Sequence, residues 1–428
     1  MSGLSANLGT RTDTIDLTDY LRSGDHIVIG QACGEPTTLI EALIEQGPGI
    51  GGVKVFVATS FSGIFAPGLT GSFAMSSMGA IGALRALTRV HELDVIPCHV
   101  GQVGAMIEAG VIRCDAAFVQ VAPADEEGRH SFGLVSDYVQ AAVATARVVL
   151  AEVNDRVPVT FGETLPASEI DRAVHVSRPL VEVPPAPIGA VDAAIAQHAA
   201  AYIEDGSVIQ TGIGAVPDAI LRLLHDRVDL GVHSGMIGDG LVELIESGAI
   251  TNARKRIDPG VSITGALIGT ARLYGFAHRN PQIRMCTTAY THDAGVLAQL
   301  DKLVTINSAM EVDLTGQVNA EQSGPAYLGG TGGQVDFVRA GARSAGGHAI
   351  MALPATAKGG TVSRITAALS GPVTTARSDV DVVVTEFGAA ELRGRTLRER
   401  ARRLIAIAHP DFREELERQA HTIEQRGF

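Results

Sequence analysis

Short, continuously apolar runs alternate along the chain with segments of helical periodicity. HIVIG at 26–30, GVKVFVAT at 52–59, ELDVIPCHV at 92–100, AAFVQVAP at 116–123 and VVLAEV at 148–153 read as strands. Because these runs are continuous rather than alternating, both faces of the sheet must be covered, which predicts a mostly parallel α/β layer. The run FAPGLTGSFAMSSMGAIGALRAL at 65–87 is rich in small residues, and its Met75 and Met78 suit either core filling or the wall of a roomy apolar pocket.

The pattern breaks at SRPLVEVPPAPIGAV, residues 177–191, where Pro179, Pro184, Pro185 and Pro187 exclude a regular element. It restarts with the helical AVDAAIAQHAAAYIEDG and the strand SVIQTG. VIGQACGEPTTLIEALIE near residue 28 and VIQTGIGAVPDAILRLLHD near residue 208 then share one plan of apolar strand, glycine turn, proline and amphipathic helix. Pro36 and Pro217 each fit a first helical turn, where a missing N–H costs nothing. Two related α/β domains are expected, spanning 1–178 and 191–428 and joined by a linker at 179–190; 428 residues exceed one ordinary core.

Composition narrows the setting. A formal net charge of −13 argues against nucleic acid as a partner, since that binding draws on excess Lys and Arg. Cys33, Cys98, Cys114 and Cys286 are scattered, without a pair or a His/Cys cluster at metal-ligand spacing, so reduced thiols and no metal are expected. The N-terminal MSGLSANLGTRTDTIDL lacks the apolar core of a signal peptide, and no stretch is long enough to cross a bilayer. A cytoplasmic protein without membrane contact is the expectation.

Several glycine turns could carry chemistry. TGIGAVPDAI sets Gly212, Ile213 and Gly214 between a strand and a helix start, where backbone N–H groups favour a phosphate or a developing oxyanion; a tight turn with no ligand fits equally well. AYLGGTGGQVDFVRAG at 326–341 holds Gly332 and Gly333, and ALPATAKGGTVSRI holds Lys358, Gly359 and Gly360 without P-loop spacing. DLGVHSGMIGDG at 229–240 delivers His233 and Ser234 into another such turn, yet neighbours on a strand point to opposite faces and no GxSxG elbow exists. In the basic stretch from Arg393 to Arg403, Thr396 and Glu399 form a capping box; the arginines read as a solvated helix face, with Pro410 ending the helix.

Four blocks in order, INSAMEVDLTGQVNAE, GGTGGQVDF, LPATAKGGTVSRI and TEFGAAELRGRTLRERARRLIAIAHPDFREEL, resemble the acetyl-CoA hydrolase/transferase family, which includes 4-hydroxybutyrate CoA-transferases. TGIGAVPDAI resembles that family's active-site loop, and GEP at 34–36 with APADEEGRHSFGLVSDY at 122–138 extends the likeness into the first half. The resemblance implies two open α/β domains with an active site in the cleft between them, coenzyme A as a substrate moiety rather than a resident cofactor, and a homodimer or larger homo-oligomer. It assigns the glycine turn at Gly212–Gly214 to the oxyanion, and Gly332, Gly333, Lys358, Gly359 and Gly360 to CoA. In the family a glutamate attacks the acyl-CoA thioester, and an enzyme-CoA thioester follows, from which a carboxylic acid takes CoA. That glutamate lies in a segment like H-[ST]-E-M followed by D-G; here the positions read His233, Ser234, Gly235, Met236, Asp239 and Gly240, so Gly235 stands where the nucleophile is expected.

Three readings follow. Loss of the nucleophile suits hydrolysis of an acyl-CoA, or a C–C bond cleavage, with water or a bulkier substrate in the freed volume. A displaced carboxylate, Glu311 or Asp239, could instead sustain CoA transfer between acids. The third is a non-catalytic acyl-CoA binder that keeps the fold.

Overall fold

The computed structural model describes residues 14–68 and 73–427, and the chain within it separates into two compact units. The start of the N-terminal stretch and residues 69–72 of the small-residue run lie outside the described residues.

The first unit is built on a seven-stranded parallel sheet. In spatial order its strands are Arg172–Val176, Val148–Asn154, Ala116–Val121, His26–Ile29, Lys54–Phe56, Ala74–Ser77 and Asp94–Val95. The central strands Ala116–Val121 and Val148–Asn154 are buried at every position, which is why they read as unbroken apolar runs. The small-residue run supplies a strand of its own; Met75 and Met78 are both buried, Met75 in the main core of this unit. ELDVIPCHV pairs only through Asp94–Val95, because Val100 already opens the helix Val100–Glu108.

The second unit carries a six-stranded sheet in the order Gly231–Val232, Val208–Thr211, Leu303–Asn307, His348–Ala352, Val382–Thr385, Gly388–Glu391. The first five strands are parallel, and the last closes the edge antiparallel. In each unit a strand, a glycine turn and a helix follow the shared plan: His26–Ile29 leads to Thr37–Ile50, and Val208–Thr211 to Ala215–Arg222.

The units do not divide the chain linearly. Residues 97–101 belong to the second and 265–287 to the first. Backbone bonding explains the latter: Tyr274 donates its hydroxyl to the carbonyls of Val181 and Gly269, the Val183 N–H donates to Gly269 O, and Arg284 and Met285 pair with Phe161 and Gly162. The proline-rich stretch has no regular element up to Gly189, which opens the helix Ala190–Ala200.

At the C-terminus the capping box forms as read, with Thr396 and Glu399 exchanging bonds at the start of Leu397–Ile407. Two expectations change there. Pro410 begins the helix Pro410–Gln425 instead of ending the previous one, since its missing N–H is harmless at a first position. Arg400 turns inward and donates to the carbonyls of Thr315 and Arg377, so the basic face is not wholly solvated.

Candidate active site

The turn containing Gly235 is held by buried polar anchors in the second unit. The Lys255 ammonium lies under the strand Gly231–Val232 and donates to the carbonyls of Val232 (3.0 Å) and Val261 (2.7 Å). A Cβ on Gly231 would come within 2.9 Å of the Lys255 stem, so glycine is required there for close approach. His233 and Ser234 then diverge as expected on an extended strand. The His233 Nε2 meets the Thr291 carbonyl at 3.1 Å, whereas Ser234 Oγ donates to Thr211 O (3.1 Å) and accepts from Thr211 N (3.4 Å). Ser234 is therefore a clamp that ties the Gly235 turn to the residue preceding Gly212.

Gly212 and Gly214 face open space, with nothing within 4 Å of an added Cβ, and the neighbouring Ile213 side chain is exposed. Gly214 adopts φ +127° as the N-cap of Ala215–Arg222, a conformation that favours glycine. This leaves the first N–H groups of the helix uncovered by side chains, the arrangement that suits an anion or oxyanion. In its first turn, burial pushes the Asp218 carboxyl up to about 6; Arg222 opposes this, and Asp239 and Glu243 reinforce it.

The sequence reading missed His292. Its ring is nine-tenths buried and occupies the space that a side chain at Gly235 would need: an added Cβ would lie 2.7 Å from His292 Cε1 and 2.9 Å from Nε2. A Cβ built on Gly333 would collide with the same edge at Nε2, and one built on Gly101 would lie 3.0 Å from the His292 Cβ. Phe337 packs on the ring at 4.7 Å between centroids, and Thr291 Oγ1 is hydrogen-bonded to Nδ1 at 2.8 Å. Gly235 and Gly333 have no positive φ, so the ring and not the backbone demands glycine at both. The structure thus brings together Gly235 and Gly333, which the sequence named separately. Only the clustering of glycines hinted at this, since nothing in YTHDAG marks His292.

Burial, with a smaller contribution from His233, pushes the His292 imidazole down to about 3, so the ring is neutral. Its unfolded value is near 6.5, so the native state binds fewer protons in between. Stability from this residue is complete above about pH 6.5 and is lost as pH falls toward 3. Replacing His292 with leucine is expected to remove that part of the acid dependence, a change of several kcal/mol by the order of magnitude of such shifts, read from denaturant midpoints between pH 3 and 7.

The other named residues fall elsewhere. Glu311 Oε1 accepts from Asn319 Nδ2 (2.8 Å), Ser370 N (2.7 Å) and Ser370 Oγ (2.9 Å), a set of contacts that uses the carboxylate to hold loops. Asp239 is buried at the first position of Asp239–Glu246. Lys358, Gly359 and Gly360 form the exposed tip of the hairpin joining Thr356–Ala357 to Val362–Ser363. Among the described residues no group of three or more His, Cys, Asp or Glu side chains is arranged to hold a metal, and no helix is long and apolar enough to cross a membrane. A cavity of about 560 Å³ in the first unit, lined by His130, Asp155 and His175 among others, contains none of the named residues.

Residues 12–183 match the acetyl-CoA hydrolase/transferase N-terminal domain, and residues 269–420 its C-terminal domain. The chain belongs to the acetyl-CoA hydrolase/transferase family. It is 40% identical over 401 residues to the 4-hydroxybutyrate coenzyme A transferase of Clostridium kluyveri, covering 92% of this chain and 94% of that one. The crystal structure of RipA from Yersinia pestis superposes with a TM-score of 0.90 at 35% identity, covering 95% of this chain and 96% of RipA. A 4-hydroxybutyrate CoA-transferase from Porphyromonas gingivalis gives 0.81 at 37% identity, over 96% of each chain. The relatives named are CoA-transferases or share their fold, and the two α/β units of this chain are the family's two-domain fold.

Proposed function

We propose that this family member binds an acyl-CoA and hydrolyses the thioester without a covalent enzyme intermediate. The observation that carries the reading is Gly235: no carboxylate projects from it, and the volume beside it is filled by a neutral imidazole. Glycine can form no anhydride, so the first step of glutamate-based transfer has no attacking atom there. The open Gly212–Gly214 turn at a helix N-terminus supports stabilisation of the oxyanion formed when water adds to the carbonyl. The loop at Gly332–Gly333 and the hairpin at Lys358–Gly360 are the candidate contacts to CoA, the latter placing one exposed ammonium beside two uncovered glycines.

Transfer to a second carboxylic acid is the competing reading, supported by the 40% identity to a CoA-transferase. Its candidate carboxylates are Asp239 and Glu311, the latter held by Asn319 and Ser370. Thiol release from a panel of acyl-CoA esters, with and without acetate as acceptor, separates the two. Hydrolysis predicts release at an unchanged rate when acceptor is omitted; release that depends on acceptor, with a new CoA ester in the mass spectrum, would establish transfer instead.

A further inference from the structure

The Nε2 edge of the His292 ring faces Gly235, the position where the family resemblance expects the nucleophile. Gly235 and Gly333 approach this edge of the ring, and a methyl group on either would collide with it. Nδ1 is occupied by the Thr291 hydroxyl, Phe337 packs on the ring, and Nε2 makes no hydrogen bond to any described residue. Nε2 is not among the fully buried unpaired polar atoms of the described residues, so this edge of the ring can be reached from outside. One ring nitrogen is thus held by Thr291, and the other is open to a molecule bound beside Gly235.

We propose that His292 is a catalytic residue, its Nε2–H donating a hydrogen bond to the thioester carbonyl oxygen of a substrate bound beside Gly235. This rests on the hydrolytic reading for its reaction but not for its geometry. In this arrangement the Thr291 hydroxyl donates to Nδ1, which assigns the proton of the neutral ring to Nε2. A ring this reluctant to accept a proton is a poor general base and a competent neutral donor. In the reaction the water oxygen bonds to the carbonyl carbon, and the carbonyl electron pair moves onto oxygen, where Nε2–H meets it. The pair then returns as the C–S bond breaks. One water proton goes to the CoA thiolate and the other to solvent as the acid ionises, so His292 keeps its proton throughout.

The test uses the whole enzyme and acetyl-CoA, with butyryl-CoA as a longer acyl chain. His292→Ala is expected to lower kcat by about 10²–10³ with KM changed less than about threefold, the usual effect of removing one oxyanion donor. His292→Leu, which fills the volume, is expected to match it, and circular dichroism on both confirms folding. The cavity left by alanine should accept small azoles: imidazole and the far less basic pyrazole should both restore turnover, since each carries an N–H. Turnover by both variants within about threefold of the parent would overturn the proposal, as would rescue by imidazole alone, which would mark a base. If the parent releases thiol only with an acceptor, hydrolysis falls while the same kcat comparison in the exchange reaction still decides the role of His292.

Discussion

Gly235→Glu, which places a carboxylate where the sequence resemblance leads one to expect the nucleophile, should destabilise the protein and yield no transferase. The new Cβ alone would lie 2.7 Å from the His292 ring, which Phe337 and the backbones of Gly333 and Gly101 confine. Overpacking of this kind costs about 1–3 kcal/mol, and a carboxylate forced against the buried neutral ring adds to it. The double variant Gly235→Glu with His292→Ala removes the obstruction, so its stability should recover relative to the single variant. A single variant as stable as the parent would show that the ring yields easily and that glycine at 235 has another cause.

The second large effect is expected at Glu35, within the GEP segment. Its carboxylate is fully buried, and its burial pushes the pKa up against four hydrogen bonds that draw it down. Ser60 Oγ (2.6 Å) and Ser62 Oγ (3.1 Å) donate to Oε1, while Phe61 N and Ser62 N (both 2.9 Å) donate to Oε2. One side chain therefore holds the loop after Lys54–Phe56. Glu35→Ala would strand two backbone N–H groups and a buried serine, costing on the order of 3–5 kcal/mol. Glu35→Gln keeps one acceptor oxygen and should lose clearly less. Urea unfolding of both variants measures the difference, and equal losses would mean that packing rather than the paired carboxylate secures the loop.

Local sequence carried most of the fold. Buried central strands leave a continuous apolar trace because both of their faces are covered, and the turn at Gly214 is marked by glycine because its backbone needs a positive φ. The capping box at Thr396 and Glu399 is legible because its partners are three residues apart. Pro410 shows the limit of such local signals, since the same residue can close one helix or open the next.

By itself, then, the sequence determined the layered α/β architecture, the glycine turns and the family, together with the absence of a carboxylate at position 235. Only the tertiary structure decided what stands in its place. His292 lies 57 residues further along, outside any pattern of spacing, and it reaches Gly235 because separate loops converge at that edge of the second sheet. Tertiary contacts likewise committed Glu311 to loop bonding, turned Arg400 inward and returned residues 265–287 to the first unit. Periodicity reports how each segment buries its own face; which distant side chain fills a gap depends on packing between segments, which no local pattern encodes.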